Sequence, residues 1–442
     1  MADDAQLIAR LAGTVAADPE DGNAWTALGS LLRRAGRLEE AVACHRRGIE
    51  AAPWDPAIWT NLGNALVDAG RIGEGLAAHA HAVALSPLDP ALLFNQVVAL
   101  RQAGRYGEAL AAIGRALAAR SPQDGPAPPH LVWERALARL QLGDFAGGFE
   151  DYEARRQVHA DRLPPQKGPA WDGGPLEGRT ILLTAEQGFG DTILAARYVP
   201  LVKARGGRVL LECHPELRRL LSGVGADLVL APGEEPPAYD VAASLMSLPR
   251  LCGTGSGGVP APVRVAVPEA ARRKAAQLVG GAGALKVGIV WSGRVTFQDN
   301  HRRAASLSRF LRFAEVPGVR LYSLQKGPPE AELAALGSGG SLVVPLGPHL
   351  DDFADTAAVV ERLDLVVMTD SAVAHLAGSM GRPVWNLVQH VPYWIYGAEG
   401  DGTPWYPSMR LFRQGPARDW DPVFAAAAQA LEARALSRPG QG

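Results

Sequence analysis

Cysteine is scarce in this sequence. There are three, Cys44, Cys213 and Cys252, among 442 residues, and none stands at CxxC or zinc-ligand spacing. A disulfide framework and a cysteine-built metal site are therefore excluded, and each cysteine is expected to be a small packing residue. Long apolar runs are missing too. No stretch of about 18 apolar residues occurs, so no membrane span is expected. The opening MADDAQLIAR lacks the basic-then-apolar plan of a secretory signal. Neither sign of charge dominates, for the formal net charge is −2, which argues against a nucleic-acid surface over the whole protein. These absences point to a soluble, cytoplasmic, multidomain protein. With 47% apolar and 20% charged residues it can bury a sizeable core.

What is present first is a repeat. The triplet AGR stands at 35–37, 69–71 and 103–105, a period of 34 residues. Pro19, Pro53 and Pro87 keep the same period, as do Trp25 and Trp59, each followed by Leu-Gly at Leu28-Gly29 and Leu62-Gly63. With Ala41 and Ala109 this is the tetratricopeptide pattern, a helical hairpin per unit. The glycine of AGR belongs at the turn, where it takes positive φ without strain. A looser fourth unit runs from Trp133 through Leu137 and Leu140 to Gly143, with its second helix at about 145–155. Residues 4–17 read as a lone capping helix. Such hairpins stack into a superhelix with a concave face, suited to docking a peptide or protein, or else to serving as a spacer or dimerisation arm.

After Arg155 the composition changes. RLPPQKGPAWDGGPLEGR carries four prolines and four glycines in 18 residues and reads as an ordered linker. Short β-rich runs then alternate with helical stretches: TILLT, RVLLE and DLVL, and from Lys286 KVGIVW, VRLYSL, SLVVPL, DLVVM and PVWNL. That alternation predicts two doubly wound parallel-sheet domains, separated near 253–263. The expected division is 1–160 repeats, 161–179 linker, 180–265 first α/β domain and 266–442 second α/β domain. Ligands in such sheets bind beyond the carboxyl ends of the strands.

Four stretches lie at those ends. AEQGFGD follows TILLT and contains Glu186, Gln187, Gly188, Gly190 and Asp191. The glycines let the backbone turn tightly and approach a ligand. Asp191 has two readings, a first-turn or N-cap carboxylate and a functional one. TDSAVAHLAG follows DLVVM. Ser371 and Ala372 open a helix whose N–H groups would suit a phosphate, with His375 one turn on and Asp370 just before. The alternative is that Asp370 caps the helix and His375 simply packs. WSGRVTFQDNHRR follows KVGIV, and SLQKG follows VRLY. Ser292, Gly293, Arg302, Arg303, Gln325 and Lys326 there are candidate diphosphate contacts, though charged loops are often merely solvated. The one D-x-D, Asp419-Trp420-Asp421, precedes Pro422 and reads as a helix start, so no metal site is assigned.

The segments EQGFGDTILAARYVP, VGIVWSG, DDFADTAAVVERLDLVVMTDSAVAHLAG and TPWYPSMRLFRQ together resemble bacterial tetratricopeptide-repeat glycosyltransferases related to the heptosyltransferase family. The resemblance implies a GT-B fold, with a nucleotide-sugar site on the second Rossmann-like domain and metal-independent, inverting transfer without a cofactor. It implies that Asp191 is the general base; Glu186, in the same loop, is the reserve candidate. It implies that Asp370, Ser371, Ala372 and His375 form the donor-phosphate element, Ser and Ala standing where the family has Thr and Gly. It further implies a Ser/Thr acceptor on a protein held by the repeats, flagellin being the bacterial example. The rivals are a repeat scaffold with an inactive transferase half, a transferase acting on a lipid or saccharide, and a nucleotide-sugar epimerase. Tyr393, Trp394, Trp405 and Tyr406 either stack a base or sugar or pack a domain interface.

Overall fold

The computed structural model describes residues 2–186, 188–255, 258–280, 283–297 and 299–437. The chain divides into two compact units, Met1–Leu142 and Gly143–Gly442.

The first unit is all helix. After the leading helix Ala2–Ala17 come the pairs Gly22–Arg34 with Leu38–Ala51, Pro56–Asp68 with Ile72–Leu85, and Pro90–Gln102 with Tyr106–Ala118, and then Pro129–Gln141. The 34-residue period is a period of end signals. Asp21, Asp55 and Asp89 each accept from backbone N–H groups at the start of a helix. Each AGR closes that helix. Gly36, Gly70 and Gly104 have φ of 76°, 78° and 75°. The following arginine N–H returns to the carbonyl of Leu32, Leu66 or Leu100, the bond that defines a Schellman stop. The side chains of Arg37, Arg71 and Arg105 then fork onto Glu40, Glu74 and Glu108 at the start of the next helix. Trp25 and Trp59 donate their indole N–H to the carbonyls of Pro19 and Pro53. His45 and His79 lie buried over Gly29 and Gly63, where a Cβ would come within 2.7 Å of the ring. In the third repeat the same two positions hold Val97 and Ile113, both fully buried. Burial keeps both imidazoles neutral, with pKa lowered to about 4.

The second unit opens with the helices Phe145–Tyr152 and Arg155–Val158. The sequence pattern assigns the first of these to the fourth repeat and ends the repeats at 160. In the structure it packs within the α/β unit, where Phe149 lies edge-on to Trp394 and Trp405 at 5.4 and 6.1 Å. Apolar positions at helical spacing do not say which neighbour they meet.

Two parallel sheets follow. The first contains β1 (Thr180–Thr184), β2 (Arg208–Glu212), β3 (Leu228–Leu230) and β4 (Val241–Ser244), in the order β3-β2-β1-β4. The linker is stitched to its edge, for Ala242 exchanges backbone hydrogen bonds with Pro169 and Trp171. The second contains β5 (Leu285–Val290), β6 (Val319–Ser323), β7 (Val343–Pro345), β8 (Leu365–Thr369), β9 (Val384–Val388) and β10 (Met409–Arg413), in the order β10-β9-β8-β5-β6-β7. This is the doubly wound order, with its switch point between β5 and β8. The first sheet repeats its opening four strands, with the switch between β1 and β4. Alternate residues of β5, Leu285, Val287 and Ile289, continue to Trp291 and pack with Phe310, Phe313 and Phe424. Each such fully buried side chain contributes roughly 1.5–3 kcal/mol. All-helical repeats followed by parallel-sheet α/β domains are what the sequence predicts. Two strands are not legible in it: β4 is alanine-rich, and β10 carries two exposed-type arginines. Cys213 packs behind β2, and burial pushes its thiol up to about 12, as expected of a packing cysteine.

Candidate functional site

The loops at both switch points meet. The helix Phe189–Ala195 follows β1, and the helix Ala372–Ser379 follows β8. They pack so closely that a Cβ on Gly190 would lie 2.8 Å from the His375 ring. That contact, rather than a turn, is why position 190 is glycine. Gly188 is the N-cap of the first helix, and the Asp191 carboxylate folds over it, 2.7 Å from where a Cβ would be. Asp191 is therefore not the cap. Its Oδ1 accepts a 2.9 Å hydrogen bond from the hydroxyl of Tyr393, in the segment after β9.

Asp191 retains some surface access yet is densely surrounded by protein. Burial raises its pKa to about 6. The Tyr393 hydrogen bond opposes the rise, the charges of Glu186 and Asp370 add to it, and that of Arg303 subtracts. A carboxyl tuned near neutrality is suited to exchanging a proton with a bound molecule.

Glu186 does not share that state. It lies against the buried guanidinium of Arg155, which reaches its two oxygens at 2.6 and 3.1 Å, and it also accepts from Ser244. Arg155 further contacts Glu153 at 2.7 Å and Ser247 at 2.8 Å. Burial opposes the Glu186 charge, but the Arg155 hydrogen bond overrides it and holds the carboxyl below its ordinary range. A carboxylate neutralised in this way is a poor base, which corrects its expected reserve role. Gln187 lies outside the described residues.

On the opposite side, Ser371 is the N-cap of the helix Ala372–Ser379, and Ala372 is its first residue. Asp370 stands just outside, accepting from the Tyr396 hydroxyl at 2.7 Å and lying 3.6 Å from an Arg303 nitrogen. Arg303 stacks on the Phe297 ring at 4.5 Å, and Gly293 leaves room for it, since a Cβ there would sit 2.6 Å from its guanidinium. His375 is buried, its Nδ1 3.1 Å from the Tyr406 hydroxyl. Burial lowers its pKa to about 4, partly offset by Asp370, so the ring is neutral.

The remaining expected contacts have other hydrogen-bond partners. The Gln325 side chain accepts from the N–H groups of Trp291 and Ser292 and donates to the carbonyls of Ser292 and Lys326. Ser292 bonds Asn300 and the Gly293 carbonyl. Both hold the loop after β5 in shape. The Lys326 ammonium is anchored on the carbonyls of Gly347 and Leu350. Arg302 lies beside Asp299 at 3.8 Å. Basic residues after strands are common, and the sequence does not tell which of them turns inward. Asp419 accepts from the Asp421 N–H, and Asp421 pairs with Arg309.

Three residues were missed, Tyr396, Arg155 and Arg197, and Tyr393 was named only as a stacking or packing aromatic. Both tyrosines follow β9, so the strand-end rule that found Asp370 could have reached them as partners of the carboxylates. Arg155 sits in an apparent repeat helix and carries no signal. Arg197 is buried between domains, donating to the carbonyls of Leu194, Pro260 and Trp405. Trp394, Trp405 and Tyr406 are buried packing aromatics.

Against known proteins, residues 22–65 and 60–125 match models of the tetratricopeptide repeat. The helical unit is a tetratricopeptide array. Over 355 residues the chain is 30% identical to Protein FlbA of Caulobacter vibrioides, covering 72% of this chain. The chain spans 58% of that relative's length. Among solved structures, a family 9 glycosyl transferase from Veillonella parvula aligns at 12% identity and TM-score 0.47, over 60% of this chain and 99% of that one. The ADP-heptose LPS heptosyltransferase II of E. coli aligns at 14% identity and TM-score 0.43, over 58% and 100%.

Proposed function

We propose that the α/β unit is a glycosyltransferase of the GT-B plan, moving a sugar from a nucleotide-sugar donor to a hydroxyl. The observation that carries this is Asp191, a carboxyl of near-neutral pKa held opposite a helix N-terminus and Arg303 where two doubly wound sheets meet. In this reading the donor diphosphate lies at the N-terminus of the helix Ala372–Ser379, where the backbone dipole and Arg303 offset the charge that develops on leaving. The acceptor oxygen attacks the sugar carbon from the Asp191 side. The carbon–oxygen bond to the diphosphate breaks as the new one forms. The nucleoside diphosphate leaves with the electron pair, and Asp191 takes the hydroxyl proton. Attack opposite the leaving group inverts the carbon.

The acceptor is a Ser or Thr of a protein recognised by the tetratricopeptide unit, flagellin being the one the sequence resemblance suggests. Arrays of this kind present extended concave surfaces to partners. Calorimetric titration with UDP, GDP, ADP and CMP, then their sugar derivatives, tests the donor site. Selective binding lost in Ser371→Pro is expected, because the N-cap φ of −157° is closed to proline. Absence of binding by every nucleotide would instead favour a repeat scaffold.

A further inference from the structure

Asp191 and its hydrogen-bond partner come from different domains. Asp191 is on the helix after β1, whereas Tyr393 begins the short turn Trp394–Tyr396 after β9. That turn is firmly built. Trp394 is buried among Phe149, Tyr152 and Trp405, and Arg413 donates to the carbonyls of Tyr396 and Gly397. Tyr393 also lies against the Trp394 and His375 rings, at 5.0 and 6.3 Å. Its hydroxyl is thus delivered from a fixed frame to one oxygen of Asp191, while the other lies over Gly188.

We propose that Tyr393 is the positioning residue of Asp191: its hydroxyl holds Oδ1 and presents Oδ2 for the proton, so the base is oriented only while the two α/β domains are apposed. The consequence for turnover rests on the transferase reading. The hydrogen bond itself does not. Tyr393 keeps its own proton, because burial and the nearby Asp191 charge raise it well above the ordinary phenol range. It is therefore a donor at every working pH. The other groups that face Asp191 are the carboxylates of Glu186 and Asp370, the Arg303 guanidinium, the Tyr152 and Tyr406 hydroxyls, and the neutral His375 ring against Gly190.

The test is Tyr393→Phe, which keeps the ring and removes the donor. Carboxyl ¹³C NMR on protein labelled at aspartate follows the titration, the Asp191 signal being the one absent in Asp191→Asn. Tyr393→Phe should move the Asp191 midpoint upward by about one unit, a tenfold change in proton affinity. Tyr396→Phe, which removes a donor from Asp370 instead, should leave it in place. In transfer assays Tyr393→Phe should lower kcat roughly ten- to a hundredfold and leave KM for the sugar nucleotide within about twofold. An unmoved Asp191 midpoint overturns the positioning role whatever the activity shows. A moved midpoint in a protein that transfers no sugar keeps the positioning role and overturns the transferase reading.

Discussion

Glu186 and Asp191 stand five residues apart in one loop-and-helix segment, and they end in opposite electrical states. At the base of the loop, Glu186 is matched by a buried arginine and a serine and is held ionised. At the helix, burial raises the Asp191 pKa to about 6, the Tyr393 hydroxyl opposes the rise, and two other carboxylates add to it. Burial is common to both. Pairing separates them, and it makes one carboxylate part of the frame and the other a group able to take a proton.

The most drastic way to break this comparison is Asp191→Asn. Transfer should fall by about 10²–10⁴-fold, in line with loss of a positioned base. Stability should move the other way. A carboxyl whose folded pKa is raised from 3.8 to about 6 favours the folded state below pH 3.8, and this is lost as pH rises through about 6. The variant should therefore be more stable than the parent at pH 7, by up to about 3 kcal/mol in denaturant melts. A destabilised variant would mean that Asp191 is structural.

Next in size is Arg155→Met, which strands the Glu186 charge. A loss of about 3–5 kcal/mol is expected, and Arg155→Met with Glu186→Leu should recover most of it. Simple additivity in that double-mutant cycle would deny the pair.

His375 sharpens the comparison from the other side. Its lowered pKa means that its contribution is present above pH 6.5 and lost as pH falls toward 4. His45 and His79 act in the same direction, so net stability should drop in acid. Melts of the whole chain between pH 7 and 4 check this. Gly190→Ala should give the smallest effect, about 1–3 kcal/mol of destabilisation from crowding His375, read by thermal melts.

The repeats were legible because their signals are local: the AGR turn with its glycine stop, the proline and the tryptophan each recur at 34 residues. The strands of the two sheets were legible where β-branched and leucine runs were dense, and not in VAAS or MRLFR. At the candidate site, the strand-end rule reached Asp191, Asp370, Ser371, His375 and Arg303. It could not distinguish these from Lys326, Gln325 and Arg302, because which side chain turns inward depends on partners far away in sequence. Glu186 shows this most plainly. Its state is set by Arg155, from a helix that reads locally as part of a repeat.

The central claim is that Asp191 is a base poised near neutrality. The most direct measurement is the pH dependence of sugar transfer, once calorimetry has named the donor. The rate should rise with pH through about 6 and then level, and the rising limb should vanish with the activity in Asp191→Asn. A rate that is flat from pH 5 to 8, or a limb that survives the substitution, would contradict it.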